Sequence, residues 1–230
     1  MNWQERSNQL ELLDGDDIPF EDIRRNMAEI NTINTWLGGH QITLKGLQKL
    51  LPTNRSVCIA EIGCGDGNNL QVIQNYCTSK NINAFLIGID IKSTCIEAAQ
   101  AKQWEHASFI TSDYQSVQFP QKPDIIFSSL FCHHFSDEAL VAQVQWMQEH
   151  AALGFFINDL QRHPLAYYSI KLIAQLFSKS YLLKHDAPLS VARALRKNEW
   201  QQILHTGGLP QATIEWKWAF RYLITLKKDA

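Results

Sequence analysis

Five short apolar runs, spaced at intervals that helices fill, constrain this chain more than anything else in it. They occupy residues 57–62 (VCIAEI), 84–90 (AFLIGID), 107–113 (ASFITSD), 124–130 (DIIFSSL) and 152–159 (ALGFFIND). Runs this apolar are strands buried on both faces, with helices as the covering layers. The stretches between them agree: NNLQVIQNYCTSK, STCIEAAQAKQ with Ser93 as a cap, and SDEALVAQVQWMQEH led by Ser136 all carry helical spacing. The expected class is α/β, a mostly parallel sheet between helices.

Both ends elaborate this core. Residues 1–50 read as a helical leader or lid, two helices broken at Gly38-Gly39, and residues 51–230 as the main domain. An insertion at about 160–197 is expected to hold a helix over 165–177 and a loop through His185 and Pro188. Beyond it come a helix at 198–205 and two strands meeting near Phe220. Leu165, Tyr168, Leu172, Ile173 and Leu176 give the inserted helix an apolar face to pack on the domain. Trp216 and Trp218 alternate with polar residues and are expected to be buried on one face of a strand.

Composition narrows the partners. A formal net charge of -2 gives no basic surface for a polyanion, so nucleic acid is not the expected substrate. Five cysteines, an odd number without a CxxC pair, read as reduced buried thiols of a cytoplasmic protein. The polar, acidic start is not a targeting peptide, and no apolar run reaches the roughly 18 residues of a spanning helix. Oligomeric state is left open.

Gly63, Gly65 and Gly67 fall directly after the first apolar run, where a parallel sheet binds its ligand. A dinucleotide fingerprint needs a third glycine at the position of Asn68, so a nicotinamide-dependent (NAD) oxidoreductase is the weaker reading. Asp90 closes the second run and Asp113 the third, which suits a nucleoside without a pyrophosphate.

With EIGCGDG, GID, SDY and PDIIFSSLFCHHF in hand, the chain resembles the class I S-adenosylmethionine-dependent methyltransferases over about 57–159. The resemblance implies a Rossmann-like seven-stranded sheet whose last strand is antiparallel, and S-adenosyl-L-methionine as cofactor. It places Glu61, Gly63, Gly65 and Gly67 by the methionine part, Asp90 on the ribose, Ile91 beside the adenine, and Asp113 with the Tyr114 backbone on the adenine amino group. Ser129, ending the fourth run, joins this cofactor set. INTWLGG, INDLQRHPLAYY and HDAPLSVARAL are similar to a bacterial subgroup associated with polyketide, quinone or pigment-type metabolites. That implies a small aromatic or polyketide-derived acceptor and O- or C-methylation. A cofactor-binding assembly partner without turnover is the non-enzymatic alternative.

For a phenol or enol acceptor a positioned base takes the proton, and histidine suits that near neutral pH. His133, His134, Asp159 and His163 follow the fourth and fifth runs and are the catalytic candidates. Trp36, Asn158, Tyr167, Tyr168, His185 and Arg193 are candidates for the acceptor, with surface pairing the plainer role for Arg193. The second acid pattern of Mg²⁺-dependent catechol-type enzymes is not apparent, so no metal is expected.

Overall fold

The apolar runs become β1 (Ser56–Ile62), β2 (Asn83–Asp90), β3 (Ala107–Thr111), β4 (Ile125–Ser129) and β5 (Gly154–Leu160), all parallel. The computed structural model describes residues 3–15, 17–52 and 56–228. β6 (Thr213–Lys217) and β7 (Arg221–Lys227) complete a seven-stranded sheet in the order β3-β2-β1-β4-β5-β7-β6. β7 lies between β5 and β6 and is antiparallel to both. The chain reverses direction across the sheet between β1 and β4, which opens a crevice beyond their carboxyl ends.

Alternation within the strands feeds two cores. Val57 and Ile59 join Leu86, Phe127 and Phe156 on the face covered by α2 (Gly39–Leu50) and α3 (Asn68–Ser79), while Cys58, Ala60 and Ile62 face α5 (Asp137–His150) and α8 (Lys197–Thr206). Phe127 and Phe156 stack at 4.8 Å. α1 (Phe20–Trp36) precedes α2, and the break at Gly38 holds a left-handed φ of +75°. α4 (Ser93–Gln100) begins without a side-chain cap from Ser93, whereas Ser136 accepts a hydrogen bond from Ala139 N at α5 as its sequence suggests.

Three further expectations fail here. The loop through His185 and Pro188 is helix α7 (Tyr181–Arg193), with Pro188 inside it. Leu182, Leu183, Leu189, Val191 and Ala192 are buried along it, and that packing outweighs the proline penalty of about 3 kcal/mol. Trp216 and Trp218 are 52% and 67% exposed, because β6 is an edge strand and Trp218 sits in the turn after it. α6 (Pro164–Phe177) is rotated from expectation: Leu165, Tyr168, Leu172 and Leu176 point outward, and Ala166, Ile170 and Ile173 face the domain. Apolar residues occupy both sides of this helix, so periodicity alone could not choose between them.

Candidate active site

The crevice beyond β1 and β4 deepens into a cavity of about 430 Å³. One end is the turn from β1 to α3. There the three glycines divide the work: a Cβ on Gly63 would lie 2.3 Å from the Phe131 ring, and one on Gly67 3.2 Å from Trp104. Only Gly65 faces open space, with Met27 Sδ 3.9 Å away as its nearest neighbour. All three hold left-handed φ (+68°, +53°, +76°), which a side chain would strain.

Asp90 braces that turn. Its carboxylate accepts hydrogen bonds from Gly65 N and Lys92 N, both 2.9 Å. Burial raises its pKa above the usual range, and those two N–H donors hold the rise in check. Ile91 beside it is 70% exposed. Asp113, after β3, is not among the cavity-lining residues; its carboxylate accepts from Gln115 N, and Tyr114 is buried among Phe131, Phe135 and Trp146. Glu61 is fully enclosed at the root of the turn; Asn69 donates to its Oε1 at 3.0 Å, while Oε2 has no partner among the described residues. Burial pushes its carboxyl well up, and the charges of Asp66 and Asp90 push the same way. Ser129 Oγ, at the cavity wall, is likewise unpartnered.

A polar network that sequence reading missed, Asn158 excepted, contributes Asn31, Asn34, His40, Asn69 and Arg221 to the cavity lining. His40 approaches Asn69 Oδ1 (3.0 Å) and Asn31 Oδ1 (2.8 Å), and Arg221 donates to Asn34 Oδ1 at 2.9 Å and toward Asn158 Oδ1 at 3.4 Å. Burial pulls the Arg221 guanidinium down to about 10 and lowers His40 as well. Asn158 donates in turn to Gly39 O and Thr43 Oγ1, tying β5 to the start of α2 rather than facing the cavity.

The far wall is apolar: Ile30 and Leu37 from α1, Ile170 and Ile173 from α6, and Leu183 from α7. Its polar corner is Glu11, His133 and His134. His133 Nδ1 lies 2.8 Å from Asp159 Oδ1, and Asp159 Oδ2 accepts from Cys132 N at 2.7 Å. Burial would raise the Asp159 carboxyl, but the His133 charge and hydrogen bond outweigh it and hold it low. His134 Nδ1 lies 3.2 Å from Asp14; burial lowers this imidazole, and Asp14 and Glu11 together raise it by more. Residues 3–15 cross this corner, held by arginines: Arg6 donates to the carbonyls of His133 and Phe135, Arg162 to those of Trp3 and Gln4, and Arg193 to that of Gln9.

The other sequence candidates fall elsewhere. Trp36 is 68% exposed at the end of α1. Tyr167 and Tyr168 turn away from the cavity and pack on Trp3, and Ala166, Ser169, Ile170 and Ile173 form the α6 wall instead. His163 caps α6 and stacks on Phe220, and exposed His185 pairs with Asp186. Arg193 is buried, not a surface pair; it binds the carbonyls of His133 (3.1 Å) and His134 (2.8 Å) as scaffold. Glu11 gave no signal in the sequence, because its partners come from remote segments.

Residues 59–154 match the family model described as a methyltransferase domain. Among solved structures, the plantazolicin methyltransferase BpumL in complex with SAH shares 22% identity (TM-score 0.54, covering 86% of this chain and 70% of that one). Magnesium protoporphyrin IX methyltransferase (ChlM) from Synechocystis PCC 6803 with bound SAH shares 15% (TM-score 0.51, 97% and 90%). Human N-acetylserotonin methyltransferase in complex with SAM shares 14% (TM-score 0.62, 91% and 56%). Sequence comparison with curated proteins found no match.

Proposed function

We propose that this chain, a class I S-adenosylmethionine-dependent methyltransferase by its matched domain and its fold, methylates an oxygen or carbon of a small aromatic or polyketide-derived acceptor held between α1, α6 and α7. The observation that carries this reading is the continuity of one cavity from the Gly65 turn to an apolar wall with a histidine-bearing corner. The residues at the near end fit the cofactor: an open glycine, a carboxylate at the end of β2, and two buried oxygens without partners, Glu61 Oε2 and Ser129 Oγ.

S-adenosylmethionine, when bound, supplies an electrophilic methyl group on a sulfonium. The chain has to hold donor and acceptor in line and keep water out, a contribution that can reach about 7–11 kcal/mol of barrier. We assign Asp90 to the ribose, exposed Ile91 to the adenine face, Asp113 and the Tyr114 backbone to the adenine edge, and Glu61, Ser129 and the glycine turn to the methionine part. The acceptor lies against Ile30, Leu37, Ile170, Ile173 and Leu183, with the group that loses its proton turned toward His133 and His134. The similar structures carry the names of a plantazolicin, a magnesium protoporphyrin IX and an N-acetylserotonin methyltransferase, so the fold serves different acceptors and the choice falls to the cavity wall. No described helix is long and apolar enough to cross a membrane, and a net charge of -2 gives no general attraction for a polyanion; we place the enzyme in the cytoplasm, acting on a small molecule.

Calorimetric titration with S-adenosylmethionine, S-adenosylhomocysteine and NAD tests the near end: the first two bind and NAD does not. A panel of phenols and quinols, assayed for S-adenosylhomocysteine release and methylated product, tests the far end. NAD binding alone would overturn the reading, and cofactor binding without turnover on the panel would refute the acceptor class.

A further inference from the structure

We propose that Glu11, His133 and His134 bind a divalent transition-metal cation of the zinc and cobalt class at the polar corner of the cavity. The proposal rests on the acceptor side of the function above and deepens it: with Nδ1 of each ring on a carboxylate and Nε2 on the cation, the histidines would act on the acceptor through the cation and not as its base.

Geometry comes first. One donor atom from each of the three residues lies within 4.8 Å of the others. His133 Nε2 is 3.7 Å from Glu11 Oε1, and His134 Nε2 is 3.9 Å from Glu11 Oε2. A tetrahedral cation with bonds of about 2.0–2.1 Å needs its donors about 3.4 Å apart. These two contacts, one to each carboxylate oxygen of Glu11, lie within about half an ångström of that spacing, and the donor set as a whole lies within 4.8 Å.

Orientation is the second observation. Both imidazoles have Nδ1 engaged by a carboxylate, Asp159 at 2.8 Å and Asp14 at 3.2 Å, which leaves Nε2 of each turned toward Glu11. Carboxylates placed behind ligating histidines are how metal sites fix the ring and strengthen the donor nitrogen. Ser190 Oγ donates to Glu11 Oε1 at 2.7 Å and fixes the third donor in the same way.

Charge is the third. Glu11, Asp14 and Asp159 face this corner; Arg193 lies 3.7 Å from Asp14, Arg6 bonds the His133 carbonyl, and Arg221 feels the Asp159 charge. A divalent cation here would meet three carboxylates, Glu11 as a ligand and Asp14 and Asp159 behind the two rings. The Arg193 donors are engaged by the carbonyls of His133, His134 and Gln9. Two nitrogens and one carboxylate select borderline cations over magnesium or calcium, which prefer oxygen. A cation here would polarise an acceptor oxygen entering from the apolar side.

The test uses the full chain, stripped with chelator, dialysed and titrated with cobalt(II), read by visible absorption and by zinc competition. One equivalent of cobalt is expected, displaced by zinc and not by magnesium. Glu11→Gln and His134→Gln should each weaken binding at least about ten-fold, and Asp159→Asn about 10–100-fold through the ring it orients. His205→Gln, on the exposed side of α8, should leave it unchanged. Absence of stoichiometric cobalt binding, or binding undiminished in Glu11→Gln and His134→Gln, overturns the proposal. Calorimetry with S-adenosylhomocysteine on the same samples separates the failures. Intact cofactor binding without cobalt refutes the metal site alone, whereas loss of both in the parent chain refutes the functional reading beneath it.

Discussion

The two ends of the cavity are built by opposite means. At the near end, backbone does the work over a short span of chain: β1, its glycine turn, and Asp90 one strand away accepting from Gly65 N. At the far end, side chains from remote segments converge, Glu11 on His133, Arg6 on Phe135, Arg162 on Trp3 and Gln4. A backbone cradle suits a ligand that never changes, and a side-chain wall can be recut for a new acceptor while the cradle stays intact. The two ends should therefore fail separately.

The largest expected effect is on the far end. Arg162 has no exposed side-chain surface, bonds Glu199 through both of its terminal nitrogens, and also reaches the carbonyls of Ala194, Trp3 and Gln4. Arg162→Ala leaves the Glu199 carboxylate without its cation, with only Arg196 N still donating to it, and should cost about 3–5 kcal/mol. Denaturant melts would show this, and S-adenosylhomocysteine affinity of the remaining folded protein should stay within a few-fold of the parent. A parallel collapse of cofactor affinity would mean that the two ends are coupled.

Asp90→Ala attacks the near end. Loss of a ribose acceptor and of the brace on Gly65 should weaken cofactor binding by about 1–3 kcal/mol, measured calorimetrically. Unchanged affinity in a folded variant would show that the ribose lies elsewhere.

The smallest effect concerns Glu61. Its carboxyl is raised in the folded state, so the folded protein holds this proton more tightly than the unfolded chain does. The resulting stability is present below the ordinary glutamate value of 4.5 and is lost as pH rises from there through the raised value. Glu61→Gln should flatten that part of the stability–pH curve and weaken binding of the methionine part. A slope identical to the parent's would show that Glu61 is ionised in the fold without penalty.

The same contrast explains what could be read from sequence. Gly63, Gly65 and Asp90 are legible because strand, turn and acid follow one another along the chain, and each step has a local physical cause. Glu11 is illegible because nothing in LELLDGDD distinguishes it from the acids around it until Ser190 and the two histidines are placed beside it. α6 was recognisable as a helix but not in its rotation, because apolar residues lie on two faces. α7 was misread for a definite reason, a proline whose local cost is exceeded by buried contacts on either side. Local rules carried the glycine-turn end of the cavity, and long-range packing decided its apolar end.

The position of β7 has a consequence for how this molecule comes together in time. It follows every other strand along the chain, yet it lies between β5 and β6, and its first residue, Arg221, reaches Asn34 and Asn158 at the cavity. Until β7 docks, β5 has an open edge and the polar network lacks its cation. Non-local pairings of this kind slow folding, because loop entropy is spent before contacts return it. During synthesis β1 to β5 can pair from chain already made, while the free edge of β5 waits for β7.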